Sequence, residues 1–362
     1  MSGGVELPYE AWLTALLSLP RMGPGRLSQL LEAEDAEAAW VRVRSGDRLQ
    51  LDRVGRAVIE EWRATARSFD VAAMWHATRQ LGVHVAELGA AGYPMRLLDD
   101  IEPPMLLFRR GRPIGDHPTV AIVGTRKCTS YGQRVAFELG QSLADAGIAV
   151  VSGLALGIDA AAHRGALAAN GAPPIGVVGS GLDVVYPKRN AQLWEEVAQH
   201  GTLVSESPPG TKPEPWRFPA RNRIIAGLAD AVVVVESHES GGSLLTVDEA
   251  QLRDVVVGAV PGPITSGSAS GTNRLLADGA APVLGVDDVF GLIGHVPPRD
   301  AAEPVDGDVV PEVLQAMGWG PTLLEQLCLR LQADPLELAA KIELLVAAGR
   351  CTRSGPWIER VR

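Results

Sequence analysis

Apolar side chains recur three and four apart through residues 1–85. Trp12, Leu13, Leu16 and Leu17 form one stripe, and Leu27, Leu30 and Leu31 form the next. That spacing predicts amphipathic helices. Between the two stripes lies SLPRMGPGRLSQLL. Its Gly-Pro-Gly turn reads either as a helical hairpin that offers backbone N–H groups to a phosphate, or as a tight connector. From residue 86 the pattern changes. Short apolar runs (TVAIV at 119–123, then IAVVS, PIGVVG, TLVSE, AVVVVE, VVVGAVP and APVL) alternate with helical stretches. Ser130 is positioned to cap the first of these helices. Val135, Leu139, Leu143 and Ala146 form its apolar face, and Gly147 closes it. Strand–helix alternation of this kind predicts an α/β fold with a doubly wound, mostly parallel sheet. Ahead of it, GYPMRLLDDIEPPMLLFRRG adds further strands or turns.

Residues 295–311 are rich in Pro, Gly and Asp and read as a linker. The tail, 312–362, contains DPLELAAKIELLVAAG, with Asp334 as N-cap, Pro335 at the first helical position and Gly349 at the stop. Two short strand candidates, RCTRSG and WIER, follow. Three helices and a hairpin predict a winged-helix-like domain. The division is therefore 1–85, 86–294, a linker at 295–311, and 312–362.

A length of 362 residues accommodates two or three domains. The net charge of −10 argues against coating nucleic acid through overall charge, but leaves room for a local basic site. The 3 cysteines form no CxxC pair, which indicates a reducing compartment without a disulfide framework or zinc site. The N-terminus lacks a basic signal region, and no apolar run approaches about 18 residues. The expected location is the cytoplasm, with no membrane segment.

In a parallel α/β sheet, ligands sit beyond the carboxyl ends of the strands. The loops there are GTRKCTSYG, SGLALGID, GSGLDVVYPKRN, SESPPGTKPEPWRFPARNR, ESHESGGSLLT and PGPITSGSASGTNR. Small residues such as Gly124 and Thr125 let backbone N–H groups approach an anion. There is no GxGxxG, and no acidic residue follows the second strand, which argues against a nicotinamide cofactor. The GxxxxGK[ST] motif is absent, which removes a P-loop motor. No histidine pairing indicates a metal, so no cofactor, metal or catalytic residue is expected, and His163 reads as a structural histidine. Asp159, Asp183, Glu206 and Glu236 sit near strand ends, either as acids and bases or as caps that hold the arginines.

The basic residues Arg126, Lys188, Arg217, Arg221 and Arg223 come from three loops at one sheet edge. Residues 119–290 hold 12 Lys/Arg against 17 Asp/Glu, so such a patch stands in acidic surroundings. Cations at a helix start oppose its dipole, and a bound phosphate would neutralise them. Phe218 or Trp216 could give a base its aromatic face, and Phe218 could equally be core beneath a loop. A narrow basic patch with an aromatic suits single-stranded nucleic acid.

The blocks VGTR, SGLALGIDAAAH, GSGLDVVYP, SESPPG, FPARNRIIAGL, ESGGSLLT, PGP and GTNRLLADGA occur in the order found in the DNA-processing protein A (DprA/Smf) family, which the chain resembles densely over about 90–290. The resemblance implies an extended Rossmann-like domain without a catalytic cofactor, behind a SAM/helix-hairpin-helix-like front and ahead of the winged-helix-like tail. It implies single-stranded DNA binding, loading of the RecA recombinase, protection of incoming DNA in natural transformation, and a homodimer. It places Arg126, Lys188, Phe218, Arg221, Asn222 and Arg223 on DNA. Gly124 and Thr125, Gly242 and Ser243 of the GGSLLT loop, and Asn273 line the same groove. The family usually reads SGSL where this chain has Gly241-Gly242-Ser243-Leu244, so a hydroxyl is lost at 241.

Residues 309–362 hold six basic and six acidic residues, and the helix that would enter a groove carries Asp334, Glu337 and Glu343 against Lys341. That balance predicts a protein-contact or regulatory role for the tail. An alternative function is a nucleotide phosphoribohydrolase of a related Rossmann superfamily. GGSLLTVDEA resembles its PGGxGTxxE region, with Arg126 and the glycine loop on the phosphate and Glu249 as acid or base. A pure protein scaffold would leave the basic loops unexplained.

Overall fold

The computed structural model describes residues 6–295 except 33, 47, 48, 50 and 53, then 310–317, 321–347, 350–354 and 357–361. Nearly all of the expected linker, and Gly349, lie outside the described residues. The chain divides into two compact units, Met1–Pro297 and Pro298–Arg362.

The first unit opens with helices α1 (Tyr9–Leu17), α2 (Pro24–Leu31), α3 (Ala36–Ser45), α4 (Arg56–Ser68) and α5 (Val71–Gln80). Strands β1 (His84–Glu87) and β2 (Leu106–Gly111) follow. Next come β3 (Thr119–Val123), α6 (Ser130–Asp145), β4 (Ala149–Ser152), α7 (Ile158–Ala168), β5 (Ile175–Val178), α8 (Ala191–His200) and β6 (Thr202–Ser205). The series ends with α9 (Arg217–Leu228), β7 (Ala231–Val234), α10 (Leu244–Gln251), β8 (Val256–Ala259), α11 (Ser270–Ala277), β9 (Ala281–Pro282) and α12 (Val286–Leu292).

Among the described residues, nine strands form one sheet in the order β1-β2-β6-β5-β4-β3-β7-β8-β9. Pairing is parallel from β6 to β9, while β2 runs antiparallel to β6 and β1 antiparallel to β2. The sheet is thus mostly parallel, as the alternation predicts. All five residues of β3 are buried, because helices cover both faces of a parallel sheet. The chain winds outward through β4, β5 and β6, then returns to place β7 on the other side of β3. The crevice between β3 and β7 is therefore the topological switch point.

One apolar cluster covers a face of the sheet with Ile224, Ile225 and Leu228 of α9, and another covers a face with Leu139 and Leu143 of α6 and Ala162 of α7. A third joins the front helices to the sheet, packing Leu16, Leu27 and Trp62 into one core with Phe108, Trp194 and Leu203. Trp62 Nε1 also donates to the Pro20 carbonyl at 2.7 Å, which satisfies its one polar atom. One local expectation is corrected. Thr129, not Ser130, caps α6, because Thr129 has extended backbone and its Oγ1 accepts from the Gly132 N–H at 3.2 Å.

The second unit contains α13 (Val310–Met317), β10 (Thr322–Leu323), α14 (Leu324–Leu331), α15 (Pro335–Ala347), β11 (Cys351–Ser354) and β12 (Trp357–Arg360). Its sheet runs β10-β12-β11 around a core that includes Leu314, Leu327, Leu338, Ile342 and Ile358. Asp334 caps α15, its Oδ1 accepting from the N–H groups of Leu336 at 2.9 Å and Glu337 at 3.3 Å. Among the described residues, no helix is long and apolar enough to cross a membrane.

Candidate nucleic-acid interface

The loop after β3 is held by backbone contacts that leave one arginine outside. A side chain at Gly124 would put its Cβ 2.6 Å from Ile158 Cγ1, so only glycine fits. The Thr125 N–H donates to the Glu236 carbonyl at 2.7 Å, and the Ile158 N–H donates to the Thr125 carbonyl at 3.3 Å. Gly157 takes φ +81°, and a Cβ there would overlap the Thr125 carbonyl oxygen. Arg126 emerges exposed from this clamp, with its guanidinium 5.3 Å from the centroid of the Phe218 ring. Phe218, half-buried in the first turn of α9, packs on Tyr186 with ring centroids 5.3 Å apart and planes tilted by 33°.

These residues wall a cleft of about 60 Å³ at the carboxyl edge of the sheet, closed by Gly153, Leu156 and Pro187. Lys188 begins the turn that follows Tyr186-Pro187, and Asn190 anchors that turn. The Asn190 amide Nδ2 donates to the Leu154 carbonyl at 2.9 Å and the Ala155 carbonyl at 3.1 Å. Arg126, Lys127, Lys188 and Arg189 are all exposed, and none makes an ion pair among the described residues. An exposed cation stacked on an aromatic, with further cations beside it, is a surface for a phosphate backbone carrying an unpaired base.

Arg221 and Arg223 are placed differently from the expectation that they touch DNA. Both are buried, at 8% and 6% exposure. Arg221 donates to the carbonyls of Gly153 (2.9 Å) and Val177, and its Nε reaches Asn222 Oδ1 at 3.3 Å, with Asn222 also buried. Arg223 donates to the Glu102 carbonyl and to Glu206 Oε1, both at 2.6 Å. Arg217 pairs with Glu214 at 3.0 Å. The cations at the start of α9 thus find their partners inside the protein, Arg217 and Arg223 in carboxylates and Arg221 in carbonyl groups. Burial pushes the Arg221 pKa down to about 10, with Asp159 opposing the shift, so the group stays charged at neutral pH. It also lines the cleft.

Gly242 and Ser243 lie in the loop after β7 and Asn273 in α11, across β3, and none lines the Phe218 cleft. Gly242 is exposed with open space around it. The Ser243 hydroxyl donates to Ser237 Oγ at 2.9 Å. Asn273 spends both ends of its amide on the Gly262 backbone, at 3.1 and 3.0 Å.

The carboxylates serve as caps and counter-charges. Asp159 accepts from the Gly153 and Ala155 N–H groups at 3.1 and 3.4 Å, and burial raises its pKa against the pull of Arg221. Glu206 is likewise raised by burial and opposed by Arg223. Asp183 accepts from the Gly210 N–H at 2.8 Å. Glu249 is paired with Arg253 at 2.5 Å, which also binds Asp100 at 2.8 Å.

Glu236 decides what the switch point can hold. Only 3% exposed, it accepts from the Thr129 N–H at 2.8 Å and the Thr129 hydroxyl at 2.6 Å. A Cβ on Gly132 would overlap Glu236 Oε2, so the carboxylate sits directly on the first turn of α6. That is where the phosphates of a dinucleotide rest in a Rossmann fold. Here the protein's own anion occupies the place. His163 is fully buried, and burial pushes its pKa down to about 4 against a backbone contact with Ser152, so it is neutral and remote from solvent. Among the described residues no cluster of side chains could hold a metal ion.

Tyr186 and Asn190 are site residues that the sequence reading does not single out. The only signal for Tyr186 is an aromatic two positions before Lys188. For Asn190 there is none, since its partners lie 35 and 36 residues away.

A doubly wound domain whose phosphate cradle is filled by a carboxylate, with a basic and aromatic cleft beside it, defines a Rossmann-like class of protein. The chain belongs to the DNA recombination-mediator protein A family, whose sequence profile matches residues 84–294. Protein Smf of Escherichia coli is 33% identical over 328 residues, which cover 86% of this chain and 87% of that protein. The structure of DNA processing protein A from Streptococcus pneumoniae matches with a TM-score of 0.63 at 31% identity, over 79% of this chain and 98% of that one. The structure of DNA processing protein A from Helicobacter pylori, described for its single-stranded DNA binding mode, matches with a TM-score of 0.51 at 30% identity, over 58% of this chain and 94% of that one.

Proposed function

We infer that this chain binds single-stranded DNA in the cleft between Arg126, Phe218 and Tyr186, and acts as a recombination mediator without catalysing a reaction. The observation that carries the reading is the exposed Arg126 guanidinium on the Phe218 ring, with Lys127, Lys188 and Arg189 free of ion pairs among the described residues. Such a surface contacts phosphates through its cations and a base through its ring, and duplex DNA would keep its bases out of reach. Family membership and the single-stranded DNA binding mode described for the Helicobacter pylori protein support the same reading. Gly124 and Thr125 precede Arg126 in the loop after β3. Gly242, Ser243 and Asn273 would meet the strand only if its path continues across β3. The filled switch point weighs against the phosphoribohydrolase alternative, because a nucleotide phosphate would meet the Glu236 carboxylate and because Glu249 is committed to Arg253.

The finer parts of the proposal follow the family. The protein works in the cytoplasm as a homodimer, shields incoming single strands, and hands them to the RecA recombinase. The division into a helical front, the Rossmann-like domain, a linker and a winged-helix-like tail is proposed with it. RecA assembly on single-stranded DNA, followed by its ATP hydrolysis with and without this protein, tests the mediator role. Faster assembly supports it and an unchanged rate contradicts it. Release of free base from nucleoside monophosphates would instead favour the hydrolase.

A further inference from the structure

Trp216 stands two residues before Phe218 yet lines a different cleft. Its backbone is already helical, with φ −72° and ψ −22°. Side chains two apart on a helix lie about 200° apart around its axis. Phe218 accordingly faces Tyr186 and Arg126, while Trp216 faces a second cleft bounded by Met22, Gly23 and Pro24 of the α1–α2 turn and by Ser207. Arg221 lines both clefts, so the two flank the start of α9.

The indole is held in place and still open. Its Nε1 donates to Glu214 Oε2 at 3.1 Å, and the Arg217 guanidinium lies 4.3 Å from the ring centroid. Arg217 is fixed in turn by Glu214 at 3.0 Å and the Ser207 hydroxyl at 3.1 Å. The residue nonetheless keeps 45% of its surface accessible. Leaving a tryptophan half open forgoes hydrophobic stabilisation, while pre-setting the ring removes part of the entropic cost of binding. A fixed flat ring with a cation on one face is the chemistry that stacks a nucleobase.

We propose that Trp216 is a second base-stacking platform, so that one strand crosses the start of α9 with a base on Phe218 and another on Trp216. The inference rests on the reading of the Phe218 cleft as the single-strand site. It makes the α1–α2 turn the outer wall of the second cleft. A stacked strand rises only about 3.4 Å per nucleotide. Rings on opposite sides of a helix about 10 Å across therefore hold bases that are not neighbours.

The test measures fluorescence anisotropy of labelled oligodeoxythymidylates of graded length with the full chain, comparing wild type, Trp216→Leu, Trp216→Phe and Phe218→Leu. Trp216→Leu is expected to weaken binding of long strands by about 5- to 150-fold, the range for one lost stacking contact. The shortest strands that bind should be unaffected, Trp216→Phe should keep most of the affinity, and the slope of log K against log salt should stay at its wild-type value, since no phosphate contact is removed. If Phe218→Leu weakens binding and Trp216→Leu does not at any length, the inference is overturned and the underlying reading stands. If Phe218→Leu has no effect, the reading itself falls and the inference with it. Should the Trp216 variants fail to fold, photocrosslinking of wild type to DNA carrying 5-iododeoxyuridine decides. An adduct on the peptide holding Trp216 supports the platform, and adducts confined to the Phe218 cleft overturn it.

Discussion

Arg221→Ala and Arg126→Ala should separate an arginine that holds the fold from one that holds the ligand. Removing Arg221 leaves the carbonyls of Gly153 and Val177 without their charged donor and strips Asp159 of the cation that opposes its burial. A hydrogen bond to a charged group contributes about 1.5–3 kcal/mol. With two such bonds lost, the expected loss is about 3–6 kcal/mol, a large share of a domain's usual margin. Arg126 is exposed and touches Phe218 only through its guanidinium, so its loss should change stability by less than about 0.5 kcal/mol. Urea unfolding followed by circular dichroism measures both. The reasoning is refuted if Arg221→Ala unfolds at the wild-type midpoint while losing DNA affinity, because the side chain would then be reaching phosphate.

Lys188→Ala should weaken single-strand binding and lower the magnitude of the salt slope by about 1, read from anisotropy at several salt concentrations. The buried, neutral His163 makes stability fall with acid. Its pKa drops from 6.5 unfolded to about 4 folded, so the unfolded chain binds the extra proton between those values. Stability should decline by about 2 kcal/mol from about pH 7.5 to about pH 5, and His163→Gln should remove that part of the dependence. Gly157→Ala should be destabilising by more than about 1 kcal/mol, since φ is +81° and the Thr125 carbonyl occupies the space of the methyl group, and a thermal melt reads the loss directly.

The sheet was legible because parallel strands buried on both faces appear as unbroken apolar runs, and β3, β4, β5 and β7 are such runs. The antiparallel addition of β2 to β6 was not legible, since pairing between residues 106–111 and 202–205 leaves no local trace. The arginines of α9 show the limit most clearly. Arg217, Arg221 and Arg223 look alike in sequence, yet one pairs at the rim and two point inward. Helical spacing did contain the warning. Arg221 falls in register with Ile224, Ile225 and Leu228, the stripe that packs on the sheet. Glu236 and Asn190 act through partners far away in the chain, so their roles appear only once the strands are laid side by side.

The central claim is that the Arg126–Phe218 cleft takes a single strand. Fluorescence anisotropy with one labelled oligonucleotide, single-stranded and as duplex, at two salt concentrations, tests it most directly when wild type is compared with Phe218→Ala and Arg126→Ala. The predicted result is a salt-sensitive preference for the single strand, weakened by both substitutions, with only Arg126→Ala altering the salt slope. Equal affinity for duplex, or single-strand binding indifferent to both substitutions, would contradict it.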